Sequence, residues 1–292
     1  MSPASQFPAL RGPAPLTFAH RGGAGLWPEN TLEAFRGAIQ LGCTHLETDL
    51  RVSRDGEIVV MHDARLERTT DGHGLVSEHT LAELQRLDAG YHFSPDGSSF
   101  PRRGQGLRIP TLAELTELLA AAPETRLNVE IKERSPFELP RKLLEFIERH
   151  GLAERIVVAA ERHELVRDFR RLSGGRIATS ASRRECLQFW FSSRLRLTRF
   201  LRFGFQALQI PVAAGNLTIV TPRLLDAAHR RGLAVHVWTI DDPAEMRRLL
   251  DLGVDGLMSD YPDRLRGAVS AHSHADKPAS PSRRAELENQ LR

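Results

Sequence analysis

The feature that most constrains the fold is an alternation kept up for most of the chain's length. Apolar runs of strand length fall at 16–20, 44–50, 57–61, 126–131, 155–159, 176–180, 206–210, 234–239 and 255–258. Between them lie helical patterns near 31–41, 111–121, 137–149, 162–172, 184–203, 222–231 and 243–252. Thr111, Thr221 and Asp241 stand where N-caps belong, and Pro222 and Pro243 suit a first helical turn. Gly42, Gly151, Gly232 and Gly253 stand where helices should stop. Alternation of this kind predicts parallel strands covered by helices. With 57–61 set aside as an accessory hairpin, eight strands remain, the number of a (β/α)8 TIM barrel of about 250 residues. The rival architecture, a doubly wound open sheet, would carry a Gly-rich phosphate turn opening directly into a helix, and the sequence has none.

Two segments stand outside the repeat. Residues 63–109 are turn-rich, with "SPDGSSFPRRGQG" at their centre, and read as an insertion or lid after the second strand. Residues 268–292 are polar and rich in small residues, and read as a flexible or loosely helical tail. The first fifteen residues lack the apolar run of a signal peptide, and no uncharged apolar stretch is long enough for a transmembrane segment. Two cysteines, Cys43 and Cys186, fit a reducing compartment, so the expected address is cytoplasmic. A net charge of +3 gives no ground for a nucleic-acid partner. The oligomeric state is not legible in the sequence.

In a parallel barrel the C-terminal ends of the strands share one mouth, so polar residues there call for an explanation. His20 and Arg21 end the first run. "HLETDL" carries Glu47 and Asp49, "VVMHD" carries His62, and "LNVEIKE" carries Glu130 and Lys132. Strand side chains alternate faces, so Glu47 shares a face with Asp49, and Glu130 with Lys132. Three converging carboxylates would repel and neutralise one another unless compensated. A divalent cation relieves that repulsion, and an all-oxygen set suits Mg2+, Ca2+ or Mn2+ rather than zinc. Arg21 and Lys132 beside such a cation make a cradle for phosphate. Two flanking histidines supply a general base and a general acid. Plainer readings compete: Glu47 and Asp49 could pair with Arg51 and Arg54, and Glu130 to Glu133 could be a solvated strand end. It is the joint arrangement that points to a site. His45, His163, His229, His272 and His274 read as core-edge or surface residues.

The pieces "HRGG" with "PENTLEAF", "HLETDLRVSRDGEIVVMHDARLERTTDGHG", "IPTLAEL", "LNVEIK" and "VHVWTIDDPAEMRRLLDLGVDGLMSDYPD" together resemble the glycerophosphodiester phosphodiesterases over roughly residues 15 to 267. The resemblance implies a TIM barrel with an inserted segment after the second strand. It implies metal ligands at Glu47, Asp49 and Glu130, paired histidines at His20 and His62, and phosphate contacts at Arg21 and Lys132. Lysine at 132 is notable in a chain whose basic residues are 37 arginines and three lysines. Trp238 matches an aromatic that lines the family's pocket, and Glu29 and Asn30 stand where they would support the site.

The expected activity is metal-dependent hydrolysis of a small-molecule glycerophosphodiester to glycerol-3-phosphate and an alcohol. The nearest rival is a lysophospholipase D using the same site on a lipid with one acyl chain. A rival of another class is a non-catalytic barrel that binds phosphodiesters. The segment 185–205, "ECLQFWFSSRLRLTRFLRFGF", lies where the family varies. It reads as a barrel helix with arginines facing water and aromatics facing the barrel. The alternative is an amphipathic surface for peripheral membrane contact.

Overall fold

The computed structural model describes residues 4–132 and 139–275. In chain order its elements are β1 (Leu16–Ala19), α1 (Leu32–Gln40), β2 (His45–Val52), β3 (Ile58–Val60), α2 (Leu81–Leu84), α3 (Leu112–Ala120) and β4 (Arg126–Ile131). Then come α4 (Leu139–Arg149), β5 (Ile156–Ala159), α5 (His163–Ser173), β6 (Ala178–Thr179), α6 (Arg183–Arg194) and β7 (Ala207–Pro211). A small hairpin of β8 (Ala213–Ala214) and β9 (Leu217–Thr218) precedes α7 (Pro222–Arg230), β10 (Ala234–Trp238), α8 (Pro243–Leu252), β11 (Gly256–Ser259) and α9 (Pro262–Ala275).

Eight strands pair in parallel in the order β6-β5-β4-β2-β1-β11-β10-β7. The ring closes between β6 and β7, where the Ala181 N–H donates to Ala207 O at 2.8 Å and Gln206 N–H to Thr179 O at 3.0 Å. This is the TIM barrel expected. β3 is the accessory strand, antiparallel to β2 through Leu50 and Val60.

Strand alternation sorts the side chains into two layers. Leu46, Leu50, Leu127, Val129, Ile156 and Val158 point outward and pack with α1, α3, α4 and α5. Leu208, Ile210, Val235, Val237 and Leu257 do the same under α6, α7 and α8. Burying such a side chain is worth about 1.5–3 kcal/mol, so these two belts carry most of the fold's apolar stabilisation. Inside the barrel, Leu16, Phe18 and Met258 form a small apolar cluster. Ala9 packs on Val157 and Ala178 and closes the strands' N-terminal end. His45 lies within this interior, fully buried, with Nε2 at 3.0 Å from Ala9 O. It is therefore not the core-edge or surface residue expected, because its strand position turns it inward.

The N-caps at Thr111 and Thr221 form as expected. The cap of α8 is Asp242 rather than Asp241, because Pro243 occupies the first turn and the residue before it must cap. The carboxylate of Asp241 instead accepts from the Ser259 hydroxyl and the Asp260 N–H. The helix expected over 184–203 is shorter. α6 starts from a capping box of Ser182 and Glu185 and ends at Arg194. Arg196 then takes a left-handed φ of 58° and a short turn follows at Thr198–Phe200.

Residues 63–109 pack on the barrel as a unit of their own. Leu66, Val76, Leu84, Ala89 and Ile109 form a cluster with Val59 of β3 and Met61 just after it, and the Val60 N–H donates to Pro110 O where the segment rejoins the barrel. The segment expected to begin a tail at 268 continues α9 as far as Ala275, and 276–292 lie outside the described residues. Among the described residues no helix is long and apolar enough to cross a membrane.

Candidate active site

β1 ends at Ala19, and the chain turns sharply through His20–Gly22 with Arg21 at a left-handed φ of 50°. Such a conformation costs a non-glycine residue energy, and here both its backbone polar groups are tied down. The Arg21 N–H donates to Glu47 Oε2 at 2.9 Å, and Arg21 O accepts from the Asn30 N–H at 2.8 Å. Gly22 has φ 83°, and a Cβ there would stand 2.7 Å from the Cβ of Ala34, so the turn requires glycine. Asn30, itself at φ 59°, donates from Nδ2 to Asp49 Oδ2 at 3.1 Å and accepts from the Thr48 hydroxyl at 2.8 Å.

β2 turns Glu47 and Asp49 into the barrel, and β4 sets Glu130 directly beside Asp49 in register. One carboxylate oxygen from each of Glu47, Asp49 and Glu130 lies within 4.8 Å of the others. Glu47 and Asp49 are 4% and 1% exposed. Burial, helped by the charge of Asp49, pushes the Glu47 carboxyl up to about 7. Burial also opposes the charge of Asp49, but Lys132, His62 and Arg21 outweigh it and hold Asp49 below the usual carboxylate range. Lys132 Nζ stands 2.9 Å from Glu130 and 3.3 Å from Asp49. Arg21 Nη1 donates to Glu29 at 3.1 Å, while its buried Nε makes no hydrogen bond and faces Asp49 Oδ2 in an ion pair at 3.5 Å. Three carboxylates with one forced towards neutrality fit a hard divalent cation, which would let all three ionise together.

The histidines share one design. His20 Nδ1 lies 2.6 Å from Asp260 Oδ1, and His62 Nδ1 lies 2.6 Å from Asp63 Oδ1. An ionised carboxylate only accepts, so each Nδ1 carries a proton and each Nε2 is left for other chemistry. Burial disfavours a charged His20, yet the Asp260 hydrogen bond and the nearby Glu47 prevail and raise its basicity. Asp63 is held down at about 2, because Arg68 and His62 outweigh its partial burial. Arg68 donates to Asp63 at 2.6 Å and through both terminal nitrogens to Glu29 at 2.7 Å. Glu29 therefore joins Arg21 to the inserted segment.

A cavity of about 530 Å3 opens here at the C-terminal ends of the strands. His20, His62, the three carboxylates, Arg21 and Lys132 all line it. Its other wall mixes apolar Ala181, Pro211 and a half-exposed Trp238 with polar Glu161, Arg183 and Gln209. Glu29 and Asn30 stand behind this surface, braced against Arg21 and Asp49. The sequence reading did not single out Asp63, Arg68 or Asp260. The signals were present in "HD" and "SDYPD", but adjacency in sequence does not reveal which side chain a carboxylate will turn to.

The chain matches the model of the glycerophosphoryl diester phosphodiesterase family over residues 20–264. It is 31% identical over 256 residues to a glycerophosphodiester phosphodiesterase of Caldanaerobacter subterraneus, covering 87% of this chain and 97% of the relative. It is 30% identical over 281 residues to a lysophospholipase D of Mus musculus, covering 87% and 86%. The crystal structure of an Oleispira antarctica phosphodiesterase, in complex with the product sn-glycerol-3-phosphate, superposes with a TM-score of 0.72 at 28% identity. That superposition covers 88% of this chain and 97% of the other.

Proposed function

Because the chain belongs to the glycerophosphoryl diester phosphodiesterase family, we propose that it hydrolyses glycerophosphodiesters to sn-glycerol-3-phosphate and an alcohol, acting as a phosphoric diester hydrolase. The catalytic domain is the barrel over 15–267, with 63–109 as its insertion. One observation carries the catalytic reading over a binding one. Two imidazoles, each fixed through Nδ1 by its own carboxylate, stand on the wall of the cavity that holds the acidic cluster. A barrel that only bound phosphodiesters would have no use for that pair.

Glu47, Asp49 and Glu130 are the residues to hold the cation, which when bound supplies positive charge to the phosphate and raises its susceptibility to attack. Arg21 and Lys132 hold the non-bridging phosphate oxygens. One histidine takes the proton from the attacking hydroxyl or water at its free Nε2. The other delivers a proton to the departing alcohol oxygen as the P–O bond breaks. Asp63 and Asp260 keep each imidazole in the tautomer this requires. Trp238 and the apolar part of the cavity wall receive the alcohol portion.

The ion is Mg2+, Ca2+ or Mn2+, since all three favour carboxylate oxygen. The free thiols Cys43 and Cys186 fit the cytoplasm. The lysophospholipase D reading is favoured by the apolar part of that wall, Ala181, Pro211 and Trp238, against which an acyl chain would pack. Incubating the protein with glycerophosphocholine and with lysophosphatidylcholine, each with and without chelator, tests both. Release of sn-glycerol-3-phosphate from the first, lost on chelation, is the expected result. No release with any of the three cations would leave only the binding reading.

A further inference from the structure

Barrel helices bury an apolar stripe and turn a polar face outward. α4 does so here: its exposed positions are Arg141, Glu145, Glu148 and Arg149. α6 breaks the rule. It buries Phe189 and Trp190 as expected, but Leu187, Phe191 and Leu195 project into water at intervals of four, in one row along the outer face. The following turn exposes Leu197 and Phe200, so the expectation that the aromatics face the barrel fails for Phe191, 59% exposed, and Phe200, 69% exposed. Of the eight large apolar side chains exposed among the described residues, five lie on α6 and the turn after it. Scattered apolar exposure is ordinary in a protein surface, whereas concentration in one sector marks a contact surface.

Charge identifies the occupant. Between 183 and 204 the chain carries six arginines and a single acid, Glu185. That acid is committed to Arg170 at 2.6 Å and to the α6 cap. Arg184, Arg194, Arg196, Arg199 and Arg202 are exposed among the apolar residues. The guanidinium groups of Arg194 and Arg199 lie over the rings of Trp190 and Phe200, 4.0 and 4.6 Å from the centroids. A second copy of this chain would set arginine against arginine, a like-charge contact that opposes association. Large apolar groups interleaved with arginine suit the boundary between anionic headgroups and acyl chains. We propose that α6 and the turn after it form a peripheral docking surface for an anionic lipid bilayer, on the β6–β7 side of the barrel.

This does not depend on the reaction proposed above, because binding to vesicles is measured apart from turnover. The test is sedimentation of the full chain with vesicles of equal phosphatidylglycerol and phosphatidylcholine, and with phosphatidylcholine alone. Two triple variants accompany it, R194Q/R196Q/R199Q and F191S/L195S/F200S, each checked for an unchanged melting temperature. Binding to the anionic vesicles only, weakened by salt, is expected. Three lost arginines, each contributing at an anionic surface, should weaken it by roughly a hundredfold or more. The apolar variant should lose it as well, while both keep wild-type turnover of soluble glycerophosphocholine. No sedimentation with anionic vesicles overturns the proposal, as does equal binding to both vesicle types or binding that neither variant reduces. A dimer in light scattering, abolished by F191S/L195S/F200S without any vesicle binding, overturns it in favour of a contact between copies.

Discussion

The interior of the barrel should make this protein acid-sensitive through two buried rings, His45, held down at about 4, and His236, held lower still. His236 is fully buried in β10, its Nε2 has no hydrogen-bond partner, and its Nδ1 lies 3.5 Å from the Gln209 amide nitrogen. Its ring packs 4.7 Å from Phe18, which touches His45 at 4.5 Å. Burial, reinforced by the prospect of charge on His45, holds His236 down at about 3. An unfolded histidine titrates near 6.5, so the fold keeps this ring neutral where the unfolded chain would already be charged. Stability from this group is therefore intact above about 6.5 and declines as the pH falls towards the folded value. Each pH unit in that window costs about 1.4 kcal/mol, so lowering the pH from 6.5 to 5 should remove about 2 kcal/mol. That is a readable fraction of a typical stability of about 5–15 kcal/mol. Urea unfolding at pH 7 and pH 5, for wild type and H236L, isolates the contribution. Leucine has a similar volume and removes an unpartnered nitrogen, so the variant should fold well at pH 7. The wild type should lose about 2 kcal/mol more than the variant on acidification. Equal losses in the two proteins would show that the ring is hydrated or charged in the fold, and the reasoning would fail.

Chelation followed by dialysis should abolish turnover, with Mg2+, Mn2+ or Ca2+ restoring it; full activity in excess EDTA would dismiss the acidic cluster as a metal site. H20A and H62A should each lower kcat by roughly 10²–10⁴-fold while melting close to wild type, and either one retaining more than half the rate loses its assigned role. D63N and D260N replace the carboxylates that fix the imidazoles, so kcat should fall at least roughly tenfold with KM nearly kept. An unchanged kcat and pH profile in either would make that carboxylate structural. G22A should destabilise the fold by about 1–3 kcal/mol in chemical unfolding, because φ is 83° there and the new methyl meets Ala34; a neutral result would contradict the turn described.

The barrel was legible because its signal is repeated: eight apolar runs alternating with helical patterns, several marked by a cap or a stop, leave little freedom to an α/β chain. The residues lining the cavity were legible for a related reason, since strand alternation at "HLETDL" and "LNVEIKE" fixes which carboxylates share a face. What escaped were relations that no period encodes. Asp260 meets His20 across 240 positions, and nothing local announces it. His45 was misread because alternation points it inward, while the strand-end logic looks only at the mouth. Asp241 was misread because two adjacent aspartates compete for one cap and Pro243 decides the outcome. Phe191 and Phe200 were expected to face the barrel as parts of one amphipathic helix, but α6 ends at Arg194, Phe200 lies on the turn after it, and Phe191 falls on the outer face.

Glu29 receives Arg21 from the first loop and Arg68 from the inserted segment, and Arg68 in turn grips the Asp63 that orients His62. This chain of contacts makes the insertion a non-interchangeable part. Loops of many TIM barrels can be exchanged because each hangs from its own strand, but exchanging 63–109 here would release an arginine from the phosphate side and a histidine from the acid–base side at once. E29Q and R68Q should therefore be strongly non-additive, the double variant losing scarcely more than the worse single one. Anyone grafting a new specificity loop onto this scaffold would have to carry Asp63, Arg68 and Glu29 across together, as one inherited unit.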